Sequence, residues 1–107
     1  MKLGVVKEAD GEARVAIVPS SMRKLTKIGF EVLVESGAGH ASHHLDSESS
    51  ESGATVTDRA TALSADIVIS IDMPELDGMR EGQMLACVAD PFRNPERVKA
   101  AMDANIT

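Results

Sequence analysis

Short apolar runs alternate with amphipathic segments along this chain. Several runs are continuous rather than alternating, which is typical of parallel strands covered on both faces. Glycine, proline and polar residues separate the runs and indicate turns. The pattern predicts strands over residues 3–6, 30–34, 54–56, 67–71 and 84–89, and a further extended piece over residues 14–18.

The segments between these strands carry helix start and stop signals. Pro19 suits a first helical turn, and Gly29 stands where the helix should end. Thr57 or Asp58 is placed to cap a short helix over residues 59–63. Asn94-Pro95-Glu96 begins a last helix, and residues 40–52 are predicted to form a loop and a mostly exposed helix. The apolar helix faces are Met22, Leu25 and Ile28 in the first helix, and Val98, Ala101 and Met102 in the last.

Alternating strands and helices predict an α/β fold. We expect three layers, with a mostly parallel sheet between helices in a Rossmann-like or flavodoxin-like arrangement. Asn105-Ile106-Thr107 reads as the start of another strand directly after a helix. The domain is therefore expected to be incomplete.

Composition and charge exclude several classes of function. The 107 residues suffice for one domain, and the net charge of −6 disfavours contact with nucleic-acid phosphates. Aromatic residues make up only 2% of the chain, so stacking platforms for single-stranded nucleic acid are absent. Cys87 is the single cysteine, which excludes an intrachain disulfide and favours the cytosol. No apolar run approaches the ~20 residues of a membrane-spanning helix.

Two short motifs allow a binding or a structural interpretation. Gly37-Ala38-Gly39 follows a strand, and Asp58 lies about twenty residues later, as in a dinucleotide fingerprint. The third glycine of that fingerprint is replaced by Ser42, which favours a tight turn. His40, His43 and His44 suggest a metal site, but a structural or catalytic zinc needs three or four convergent ligands. A solvated loop is the favoured alternative, and no metal site is assigned.

Charged and nucleophilic residues give few candidates for chemistry. Arg14 is the one candidate for a cleft, because a guanidinium fork suits carboxylate or phosphate; the alternative is a salt bridge. The pair Lys7-Glu8 is interpreted as a local ion pair, and Cys87 as a buried core residue. The acids Asp46, Glu48 and Glu51 are interpreted as a charged face, and Asp66 as a strand-edge residue.

The order of these motifs resembles the N-terminal domain shared by alanine dehydrogenases and NAD(P) transhydrogenases. The resemblance begins with Lys7-Glu8, Arg14-Val15-Ala16, Pro19 and Gly37-Ala38-Gly39. It continues through Ser52-Gly53-Ala54-Thr55-Val56, Ala65-Asp66-Ile67-Val68-Ile69, Met79-Arg80-Glu81-Gly82-Gln83, Asn94-Pro95-Glu96 and Ala104-Asn105-Ile106-Thr107. The departures are Val6, Gly11 and Val18, where the family usually has proline, asparagine and serine or threonine, and the histidine-rich stretch.

Two departures favour the transhydrogenase alpha-subunit branch. The resemblance places a substrate-binding lysine of alanine dehydrogenases at Asp72, and their catalytic histidine within Ala89-Asp90-Pro91, which holds none. A pyruvate-reducing site without both would lack carboxylate recognition and proton transfer. Arg14 matches a substrate-facing arginine of the dehydrogenases, but its role here is expected to be structural or that of a remnant.

The resemblance also implies what the intact protein does. Residues 1–107 would be the N-terminal domain of a subunit that helps transfer hydride from NADH to NADP⁺, coupled to proton translocation. The NAD(H)-binding Rossmann domain would lie beyond residue 107, so no cofactor contact is carried onto this chain, which alone is expected to be inactive. A beta subunit or membrane component and a second copy would be its partners, at a cytoplasmic location or peripheral to the inner membrane. The alternatives are an alanine dehydrogenase domain and a stand-alone, non-catalytic binding module.

Overall fold

The computed structural model describes residues 1–9, 12, 14–40, 43–72, 74, 76, 78–88 and 95–107. The described strands are β1 (Lys2–Val5), β2 (Glu31–Glu35), β3 (Thr55–Thr57), β4 (Ile67–Asp72) and β5 (Met84–Val88). The helices are α1 (Pro19–Lys27), α2 (Asp46–Glu51), α3 (Arg59–Leu63) and α4 (Pro95–Asp103).

The five strands form one sheet in the order β3-β2-β1-β4-β5. Every neighbouring pair is parallel, which confirms the α/β fold with a parallel sheet. The order matches the first five positions of the Rossmann sheet rather than the flavodoxin sheet. The chain reverses its direction of travel across the sheet after β3, so β1 and β4 are neighbours at the switch point.

Helices cover both faces of the sheet. On one face, Met22 of α1 packs with Leu3 and Val5 of β1. On the other face, Ala62 and Leu63 of α3 pack with Val6 and Val68. The predicted three-layer arrangement is therefore confirmed, and the core is aliphatic.

Gly4 permits the closest approach between a helix and the sheet. A Cβ atom at this position would lie 2.0 Å from the Ala62 carbonyl oxygen and 3.1 Å from the Ala65 Cβ. Because the nearer atom belongs to the backbone, α3 could not keep its position above any larger residue.

The predicted helix ends are confirmed where they are described. Pro19 occupies the first turn of α1, and Gly29 follows that helix with a φ of +103°, which suits glycine. Asp58, rather than Thr57, caps α3 by accepting a hydrogen bond from the Thr61 N–H at 2.8 Å. Asn94 lies outside the described residues.

The extended piece expected over residues 14–18 is wrong as a strand. Both edges of β1 are already paired, with β2 and β4, so no strand position is open beside it. Val15 and Ile17 are nevertheless buried in the core, so the segment crosses the sheet face as an irregular connection. Ile28 and Met102, expected on apolar faces, are 72% and 71% exposed. Within the described residues, no helix is long and apolar enough to cross a bilayer.

Candidate functional site

A crevice of about 490 Å³ opens at the carboxyl ends of β1, β2 and β4. Parallel α/β sheets bind ligands at such a position, where the strand order reverses. The described lining contains both signs of charge: Lys7, Glu8, Glu35, Arg59, Asp72 and Arg97, together with Val6, Ala9, Ser70 and Pro74.

Glu8 joins the two strands at the switch point. Its half-buried carboxylate accepts hydrogen bonds from the Ile71 N–H at 2.9 Å and the Asp72 N–H at 2.8 Å. The backbone ladder between β1 and β4 has already ended at Val5 and Ile69. The side chain therefore continues the contact that the backbone no longer makes, and it fixes the start of the segment after β4. The expectation that Glu8 pairs locally with Lys7 is wrong.

Glu35 organises the neighbouring side of the crevice. Its Oε2 accepts the Lys7 backbone N–H at 2.6 Å and the Arg59 Nη1 at 3.0 Å. Arg59 also donates to the Lys7 carbonyl at 3.3 Å. One carboxylate thus ties the end of β2 to the residues after β1 and to the start of α3.

Asp72 contributes an acidic group at the end of β4. Its backbone is held on both sides, because the Asp72 carbonyl accepts the Ser70 hydroxyl at 2.6 Å while its N–H is held by Glu8. The register of β4 against β5 also shifts between Ile69 and Asp72. The crevice therefore places a carboxylate where the resemblance predicted a departure from lysine. Met73 and residues 89–91 lie outside the described residues.

Arg14 lies in a salt bridge and is not among the described residues that line the crevice. Its Nε and Nη2 donate to the two carboxylate oxygens of Glu12, each at 2.8 Å, and its side chain is 70% exposed. Hydrogen bonds from Arg14 lower the pKa of Glu12 to about 2. The same contact raises the pKa of Arg14, to which the charges of Asp72 and Glu8 add a smaller contribution. The fork of Arg14 is therefore engaged within its own loop.

Gly37-Ala38-Gly39 forms a tight turn that is closed internally. The Gly37 N–H donates to Asp46 Oδ1 at 2.9 Å, and Asp46 also accepts the Ser36 hydroxyl at 3.0 Å. Ala38 is buried, and the helix that follows begins only at Asp46. A dinucleotide site needs free turn amides and a helix starting at the turn, so these residues do not fit a pyrophosphate. The view of Asp46 as only part of a charged face is corrected, because it holds this turn. Ser42 lies outside the described residues.

The histidines and the cysteine have structural surroundings. His40 lies 4.0 Å from Asp46 and His44 lies 3.5 Å from Glu48, each as a possible ion pair. The described part of the chain contains no group of three or more residues placed to hold a metal ion. Cys87 is half-buried rather than fully buried, and burial raises the pKa of its thiol, with Glu8 and Asp72 adding to the effect. A raised pKa disfavours the reactive thiolate.

Comparison with known proteins places this arrangement in a family. The family model described as "Alanine dehydrogenase/PNT, N-terminal domain" matches residues 4–107. The chain belongs to the alanine dehydrogenase/PNT N-terminal domain family. The predicted resemblance is thereby confirmed over nearly the whole chain.

Relatives from both branches of the family match all of this domain. It is 37% identical to an NAD(P) transhydrogenase subunit alpha polypeptide of Rhodospirillum rubrum, covering 100% of this chain and 31% of that protein. The solved transhydrogenase structure from Sinorhizobium meliloti superimposes with a TM-score of 0.93 at 36% identity, covering 100% of this chain and 33% of that one. A solved L-alanine dehydrogenase gives a TM-score of 0.94 at 30% identity, covering 100% and 31%. The chain thus spans about a third of the length of the relatives that it matches.

Proposed function

We propose that this chain is the N-terminal part of the alpha subunit of a proton-translocating NAD(P) transhydrogenase. The observation that carries the proposal is Asp72, which presents a carboxylate at the crevice. A carboxylate repels the carboxylate of a keto acid, so the position that would recognise pyruvate disfavours it. The whole-chain similarity to a transhydrogenase alpha subunit supports the same branch.

The remaining cations do not restore a keto-acid site. Arg14 is engaged with both oxygens of Glu12, and Arg59 is held by Glu35. Ala89-Asp90-Pro91 offers no histidine to donate a proton. The crevice therefore suits a role that needs no amino-acid chemistry.

In the intact subunit, hydride would pass from NADH to NADP⁺, and the protein would hold the two nicotinamides in register. NAD(H) would be bound outside residues 1–107, because the glycine turn of this domain is closed by Asp46. The role of this domain's residues would be to build and brace the crevice wall through Glu8 and Glu35. A beta subunit or membrane component would bind NADP(H) and move the proton, and the full-length subunit would form a homodimer.

Two assays on the intact protein with its partner subunits test the proposal. We expect NADH to reduce NADP⁺ or its 3-acetylpyridine analogue, and we expect no NADH oxidation with pyruvate and ammonia. Pyruvate-dependent turnover would instead establish the alanine dehydrogenase alternative, which the close structural match to L-alanine dehydrogenase favours. Failure of both reactions would leave the non-catalytic binding module. The isolated 107 residues should be inactive in both assays.

A further inference from the structure

We propose that the outer edge of β5, together with the groove beneath α4, receives a sixth parallel strand. The occupant is the segment that directly follows Thr107 in the longer protein. The proposal concerns an interaction surface of this domain and does not depend on which reaction the intact protein catalyses.

Thr107 already makes the first contacts of such a strand. Its N–H donates to the Gln83 carbonyl at 3.0 Å, and its carbonyl accepts the Leu85 N–H at 2.8 Å. These two bonds flank Met84 and are the pattern by which one residue pairs in a parallel ladder. Thr107 is therefore in register with Met84, and the chain leaves it running in the same direction as β5.

Within the described residues, the rest of the β5 edge is open beyond this contact. Met84, Ala86 and Val88 pair with β4 on the inner side. Because backbone groups alternate in direction along a strand, the Leu85 carbonyl and the Cys87 N–H face the outer side. A row of such groups is a template for another strand.

The helix above this edge is only partly packed. Among its described residues α4 has none that is buried, and Met102 is 71% exposed. An apolar groove of about 240 Å³ lies between the helix and β5. It is lined by Leu85, Cys87, Val98, Ala101, Met102, Ile106 and Thr107. A crossover helix normally packs on both strands that it connects, and here it has only the first.

The segment after Thr107 is the occupant that fits these observations best. It starts in register and in the right direction, and the matched relatives are about three times as long as this chain. The Rossmann order also places a sixth strand beside the fifth. Residues paired across a parallel ladder share a face, so the first and third residues after Thr107 would lie beside Leu85 and Cys87 and face the groove. We expect both to be apolar.

Amide hydrogen exchange tests the proposal directly. We would compare the 107-residue chain with a version extended through the next eight or so codons of its own gene. The Cys87 amide should exchange at least about a hundredfold more slowly in the longer protein, because it gains a ladder partner. The Ala86 amide, which faces β4 in both proteins, serves as the internal control.

A pair of matched variants provides a second readout. Met102→Asp and Ile28→Asp both alter side chains that are more than 70% exposed in the 107-residue chain. Met102→Asp should lower the Tm of the longer protein by about 5 °C more than Ile28→Asp, because only Met102 would become covered. In the 107-residue chain the two variants should behave alike.

Three results would overturn the proposal. The first is a Cys87 amide that exchanges equally fast in both proteins. The second is protection of Cys87 in the 107-residue chain that disappears on dilution, which would assign the edge to a second copy. The third is a gene whose reading frame stops after Thr107.

Discussion

At the scale of single residues, Glu8 is the side chain on which the crevice most depends. A carboxylate can accept the Ile71 and Asp72 N–H groups together, whereas a glutamine has only one acceptor oxygen. Glu8→Gln should therefore lower the free energy of unfolding by about 2 kcal/mol, the usual scale for a hydrogen bond to a charged group. Urea unfolding measures the change.

The matched control for Glu8 is Glu31→Gln, which alters an exposed glutamate at the start of β2. It should change the free energy of unfolding by less than about 0.5 kcal/mol. If the two variants were equally stable, the carboxylate of Glu8 would not be bracing β4.

The Glu12–Arg14 pair predicts a specific titration. Arg14→Ala should raise the pKa of Glu12 from about 2 towards its ordinary value of 4.5. Because the folded-state pKa is lowered, the stability from this pair is complete above pH 4.5 and is lost as the pH falls towards 2. Carboxyl-carbon NMR titration measures the shift. A Glu12 pKa that stayed near 2 in the variant would show that Arg14 is not its cause.

Residue types and short spacings predicted the local contacts better than the distant ones. The alternative of a salt bridge for Arg14 followed from its chemistry, and its partner is two residues away. The partners of Glu8 are 63 and 64 residues away, so no local spacing could indicate them. A half-buried glutamate at the end of the first strand was the available signal, and its burial became visible only in the folded sheet.

At the scale of elements, the start of α3 depends on its cap. Asp58→Ala removes the acceptor of the Thr61 N–H and should lower the free energy of unfolding by about 1 kcal/mol. Asp58→Asn, which keeps a side-chain acceptor, should restore most of the loss. Thermal or urea unfolding distinguishes them, and equal losses in the two variants would argue against capping.

The packing of α3 on β1 depends on Gly4. Gly4→Ala would place a Cβ 2.0 Å from the Ala62 carbonyl oxygen, so helix or strand must shift. We expect a loss of about 3 kcal/mol or more, at the upper end for overpacking. Glu31→Ala, at an exposed strand position, is the control and should be nearly neutral. A stable Gly4→Ala protein would mean that α3 sits further from the sheet.

Strands and helices were predicted to within a residue or two where periodicity and caps agreed. The segment 14–18 was the exception, because its apolar residues are buried without joining the sheet. Apolar alternation reports burial, and only the sheet order shows that β1 has no free edge there. Met102 was expected on an apolar face and is exposed, which follows if its partner is the strand that would come after Thr107.

At the scale of the whole molecule, strand order positions the chemistry. The reversal after β3 brings the ends of β1 and β4 together, and Glu8, Glu35 and Asp72 gather at that edge. The crevice is therefore a property of topology, whereas its charge is a property of the residues at the strand ends. Similar topologies with different residues at this edge can serve different reactions.

The most direct test of the proposed function follows the hydride itself. The intact protein, with its partner subunits, would be supplied with NADH deuterated at the transferred position of C4 and with NADP⁺. Direct transfer predicts NADPH that carries the deuterium, detected by mass spectrometry, with none lost to solvent. Unlabelled NADPH, no NADPH, or transfer of deuterium to pyruvate in the presence of ammonia would contradict the account.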